Sequence, residues 1–188
     1  MYLKYMKCKK LVAEYKCNQI NKEKICFKLN LNNGMTLKIE QGDIRTIIVE
    51  SQRLVEFNAL YAELMSLEKL LQIFEGYFWK LHRMSFSCGD KECTINNRLW
   101  MPLRLSYFNV TETPVSLEGC LLGYGDVLTL ELFSNWQNIE KEIANIHQIY
   151  LYFISNCDLT IDVRCAFMTE IFESIDIWRA QKERKMIN

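Results

Sequence analysis

ICFKLNLNNGMTLKIE, residues 25–40, decides the fold class. Phe27, Leu29 and Leu31 alternate with Lys28 and Asn30; Asn33-Gly34 follows; Leu37 and Ile39 then alternate with Lys38 and Glu40. Period-two alternation on both sides of Asn-Gly is the pattern of a β-hairpin with one buried face. IRTIIVE (44–50), introduced by Gly42-Asp43, supplies a third strand. The period then changes. Apolar residues at 54, 57, 60, 61, 64, 67, 71 and 74 recur at helical spacing. That spacing predicts a helix over 52–75, capped by Ser51 and closed by Gly76.

Strand patterning resumes at FWKLHRMSFSC (78–88), turns at Cys88-Gly89-Asp90-Lys91 and returns in TINNRLWMPLRLSYF (94–108), with a bulge at Pro102. Residues 109–126 read as a loop. Its Gly123-Tyr124-Gly125 lacks the third glycine and the leading strand of a phosphate loop. From Val127 the pattern is helical, with Leu132, Trp136, Ile139, Ile143, Ile146 and Tyr150 on one stripe and a break expected around 145–148. A last helix spans about 160–185. The expectation is an α+β protein: a β-rich unit over 1–126 containing helix 52–75, then a helical segment over 127–188.

Composition narrows the function classes. The chain has 188 residues, 49% hydrophobic and 24% charged, enough apolar material for a sizeable core. Its 23 basic and 23 acidic residues cancel, unlike the basic balance of a dedicated nucleic-acid binder. No window reaches the roughly 20 apolar residues of a membrane span. Lys4, Lys7, Lys9 and Lys10 interrupt the N-terminus, so it is not read as a signal peptide. The expected location is the cytoplasm, with the eight cysteines reduced. Cys88 and Cys93 are the closest pair; with only His82 and His147 in the chain, no zinc-ligand spacing is complete.

No stretch carries a catalytic motif, and no cofactor, metal or catalytic residue is assigned; an enzyme with an unrecognised site, its metal held by Glu170, Glu173 and the Cys88/Cys93 pair, stays open as a third class. His147 has no Ser, Cys or carboxylate at a telling distance and reads as a boundary histidine on a helix, and His82 as its strand equivalent. Glu170, Glu173 and Asp176 make an acidic stripe that reads as a solvated face before a cation site. Arg179, Lys182, Arg184 and Lys185 cluster at a helix C-terminus, where the helix dipole favours them; RNA contact is the alternative reading. Trp79, Trp100, Trp136 and Trp178 sit in apolar patterns and are expected in the core.

The last helix asks for more cover than one neighbour supplies. Leu159, Val163, Phe167, Ile171 and Trp178 form one stripe. Ile161, Cys165, Met168, Phe172 and Ile175 form a second, spaced 4, 3, 4, 3 like the seam of a coiled coil. The first stripe packs on the preceding helix, and the second is a candidate interface.

The order of features over about 25–178 resembles the ApeA-type proteins of bacterial antiphage defence. It runs from the hairpin to the long helix FNALYAELMSLEKLLQIFEG and a strand pair, then through CLLGYGDV, LFSNW and IYLYF to RCAFMTEIFE, with Arg164 and Glu173 at its ends. The resemblance implies a β-rich region followed by a HEPN domain, an RNase in that family. The family's Arg-x4–6-His motif is absent, so no functional residue carries over. The resemblance places the catalytic helices beyond Asn188. The expected role is therefore a non-catalytic sensing or regulatory module, with a downstream HEPN domain or a second copy covering the last helix. The alternative is a free-standing cytoplasmic interaction protein that dimerises through that helix, centred on Phe172.

Overall fold

The computed structural model describes residues 6–16, 25–41, 44–75, 81–88, 91–95, 128–155 and 159–187. Strands β1 (Lys7–Lys16), β2 (Ile25–Asn30), β3 (Met35–Gln41) and β4 (Ile44–Glu56) precede helix α1 (Phe57–Glu75). Strands β5 (Leu81–Cys88) and β6 (Lys91–Ile95) follow, then helices α2 (Leu130–Ile139), α3 (Ala144–Ser155) and α4 (Ile161–Ile187). The protein is α+β, with one antiparallel sheet of order β2-β3-β4-β1-β5-β6.

The hairpin forms where Asn33-Gly34 places it. Its loop is Asn32-Asn33-Gly34, closed by Gly34 N–H donating to Leu31 O (3.1 Å) and Leu31 N–H donating to Met35 O (2.8 Å). Gly34 has φ 79°, a left-handed conformation that a Cβ would strain. Phe27 faces Ile39 and Leu29 faces Leu37, so the alternation does set the register.

The central strand is the element the sequence reading leaves unassigned. β1 lies between β4 and β5, with Leu11, Ala13 and Tyr15 buried on one face. Its signal is hidden among lysines, and both its partners are distant in sequence. The same strand corrects the start of α1. Cys8 pairs with Val55 and Lys7 with Glu56, and Phe57 N–H donates to Met6 O (2.7 Å). Strand β4 therefore runs on to Glu56, paired with β1 at Val55 and Glu56 beyond a register shift, and the helix begins at Phe57 rather than at 52. Ser51 is not a cap: it lies in β4, where its Oγ accepts from Arg53 N–H (3.3 Å). Gly76 lies outside the described residues.

α1 covers one face of the sheet. Phe57, Leu60, Leu64, Leu67, Leu71 and Phe74 are buried against Leu11, Tyr15, Leu37, Ile39, Ile47, Val49 and Phe86. Each such side chain stabilises the fold by roughly 1.5–3 kcal/mol. Phe57 meets Phe86 edge-on at 5.6 Å between ring centroids and stacks on Tyr61 at 5.8 Å. The β5–β6 pair holds Cys88 opposite Lys91, as the predicted turn requires. Residues 96–127 lie outside the described residues, and with them Pro102, Trp100, the glycine-rich loop and Gly123-Tyr124-Gly125. Trp79 lies outside them too.

α2 starts on a Thr129 cap, whose Oγ1 accepts from Leu132 N–H (3.1 Å). It docks on α1, and Leu128, Phe133 and Trp136 join the core beneath the sheet. The boundary read at 126/127 lies outside the described residues, and the segment that follows it shares the core of the sheet and α1 through Leu128, Phe133 and Trp136. The break between α2 and α3 falls at 140–143, not 145–148. It occupies the charged run Glu140-Lys141-Glu142, while His147 stays inside α3 because it packs inward.

Candidate interaction face

Two polar arrangements tie the layers together, and they determine what is left open. The first lies under α1. Tyr15 Oη donates to Glu68 Oε2 at 2.9 Å, and Gln72 Nε2 donates to Glu68 Oε1 at 3.2 Å. Arg45 stands directly across the ladder from Tyr15 and is equally buried. Buried polar groups hold their place only when hydrogen-bonded, so this cluster fixes α1 on the sheet in one register. At the other side of α1, Trp136 Nε1 donates to Ser66 O at 2.8 Å and Tyr150 Oη to Gln72 O at 3.3 Å. Burial pushes the Tyr150 hydroxyl up to about 12.

His147 belongs to this packed layer, which corrects its reading as a boundary residue. It is 5% exposed, its ring lies edge-on to Trp136 at 5.9 Å, and its Nε2 has no partner among the described residues. Desolvation, reinforced by the Lys69 charge, pulls its pKa down to about 4. His82 is exposed on β5.

The second arrangement anchors α4. Trp178 Nε1 donates to Glu142 at 3.1 Å, and Lys182 Nζ lies 2.7 Å from the same carboxylate. These donors hold the Glu142 carboxyl below its usual range, the Lys182 contact first. Phe167 packs on Tyr152 of α3 at 5.3 Å, Ile171 is buried, and Arg164 Nε donates to Leu159 O at 3.2 Å. Trp178, expected in the core, is instead half-buried at this surface contact. The basic cluster is partly spent on neighbours: Arg179 pairs with Glu183 at 3.2 Å, and Lys182 with Glu142. Arg184 and Lys185 are exposed near the end of the helix.

The first stripe of α4 therefore meets α3 through Phe167, with Ile171 buried further along the helix, while Val163 is left exposed. The second stripe is open. Ile161 is 76% exposed, Phe172 58% and Ile175 39%; Cys165 is exposed and Met168 half-buried. Ile177 is 60% exposed on a further side of the helix. Glu170, Glu173 and Asp176 all face solvent. Among the described residues, no three His, Cys, Asp or Glu side chains are grouped to hold a metal ion.

The thiols of β1, β5 and β6 show a gradation. Cys8 is buried and its pKa is pushed up to about 11 by desolvation and then by Cys88; Cys88 is raised likewise, by burial and then by Cys93. Raised thiols are protonated at neutral pH and are weak nucleophiles. Cys93, opposite Phe86, is exposed. No helix among the described residues is long and apolar enough to cross a membrane.

Comparison with protein-family models, with curated proteins and with solved structures finds no match to this chain.

Proposed function

We propose that this chain is a non-catalytic interaction module that docks through α4. One contrast carries the reading. Apolar residues of the sheet, α1 and α2 are overwhelmingly buried, whereas α4 keeps Ile161, Val163, Phe172, Ile175 and Ile177 exposed. Apolar side chains gathered along one helix mark a contact surface. The setting proposed for it is the one its sequence resembles, a cytoplasmic sensing or regulatory part of an ApeA-like antiphage protein. That setting rests on the order of sequence features. A second reading, self-association through the same face, starts from the same exposure.

The test joins chemistry to phenotype. Single-stranded RNA incubated with the purified chain, with and without Mg²⁺ or Mn²⁺, should stay intact. In a phage-challenged bacterial host, protection conferred by the gene should be lost on Phe172→Glu while the protein remains folded and abundant. Cleavage that co-purifies with the protein, or protection indifferent to Phe172→Glu, would overturn the reading.

A further inference from the structure

The borders of the open seam say what kind of helix it takes. Ile161, Cys165, Met168, Phe172 and Ile175 hold alternating seam positions, and Arg179 and Lys182 continue the spacing. Such a seam has two borders. One consists of Arg164, Ile171, Trp178 and Lys185, and the protein itself occupies it. Arg164 is held by Leu159 O, Ile171 is buried, Trp178 is held by Glu142, and Lys185 lies within the field of that carboxylate. The other border consists of Asp162, Thr169, Asp176 and Glu183, all exposed, with exposed Glu173 beside them; Glu183 pairs with Arg179 at 3.2 Å, so the border's open charge rests on Asp162, Asp176 and Glu173.

We infer that the α4 seam docks an amphipathic helix of another protein, one whose apolar stripe is bordered by lysines or arginines. This rests on the reading of α4 as a docking helix and names its partner's chemistry. A second copy fits worse in either two-fold arrangement. Antiparallel pairing sets the acidic border against itself, with Asp162 facing the copy's Glu183. Parallel pairing stacks Arg179 on Arg179 inside the seam, next to Lys182, which Glu142 of its own chain holds. Like charges placed this way select against self-association and leave the seam to a basic partner.

Fluorescence anisotropy with two synthetic three-heptad helices tests this on the full chain. Both carry leucine and isoleucine at the seam positions; one has lysine at its borders, the other glutamate. The lysine-bordered helix should bind about tenfold more tightly, the effect of two or three exposed ion pairs. Phe172→Glu should abolish binding. The triple variant Asp162→Lys, Asp176→Lys, Glu183→Lys should reverse the preference. Should that variant fray α4, Asp176→Lys alone should narrow the difference. Equal binding of both helices, or a preference unmoved by these variants, overturns the basic partner and leaves α4 a docking helix. A wild-type dimer in sedimentation equilibrium does the same in favour of a second copy. No binding by either helix together with a wild-type monomer overturns both the partner and the docking role.

Discussion

The sheet with its α1 cover and the α4 helix treat the same kinds of residue in opposite ways. Phe57 is fully buried between Phe86 and Tyr61, while Phe172 is 58% exposed. Glu68 is buried and takes two hydrogen bonds from side chains on β1 and α1, while Glu142 ties α4 down from the surface. Density of burial is what makes the first region a scaffold. α4 is held along one side only and keeps its remaining apolar surface for something else.

Breaking the scaffold should cost most. Phe57→Ala removes a fully buried ring and leaves a cavity between α1 and the sheet, so urea unfolding should show a loss of about 3–5 kcal/mol. A loss under about 1 kcal/mol would mean that this layer is not packed as described.

Acid attacks the same layer through His147. Its folded pKa, about 4, lies below the ordinary 6.5, so between these values the unfolded chain binds the extra proton. Stability should therefore be intact above about pH 6.5 and fall as pH drops toward 4, by roughly 2–3 kcal/mol. Unfolding curves across that range should show this slope, and His147→Gln should flatten it.

Tyr15→Phe sharpens the point on the polar side of the scaffold. It leaves Glu68 Oε2 without the Tyr15 donor, a buried defect worth about 1–3 kcal/mol in chemical denaturation. The smallest effect belongs to the other region. Phe172→Ala should change stability by no more than about 0.5 kcal/mol, since the ring is largely in water already. The two Phe→Ala variants, measured side by side, separate scaffold from docking surface with the chemistry of the change held constant.

What the sequence made legible follows from how local each signal was. The β2–β3 hairpin carries register, turn and buried face within sixteen residues, and all three are as expected. The body of α1 was equally plain from its spacing. Its start was not, because the pairing of Val55 and Glu56 with β1 is decided by a strand more than forty residues upstream. β1 itself was illegible: Leu11, Ala13 and Tyr15 are a weak alternation beside lysines, and only β4 and β5 together make them a centre. At the site, the second α4 stripe was readable as a heptad-like spacing. Its acidic border acquires meaning only once the opposite border is seen against α3 and Glu142. The inward turn of His147 had no sequence signal beyond a place on an apolar helix.

Amide hydrogen exchange on the free chain tests the contrast most directly, because it reads protection helix by helix. Amides of α1 should exchange only at the free energy of global unfolding. Those of α4 should exchange several kcal/mol more easily and slow when the lysine-bordered helix is added. If α4 in the free, monomeric chain is as protected as α1, the protein covers this helix itself, and the account of α4 as a docking surface is contradicted.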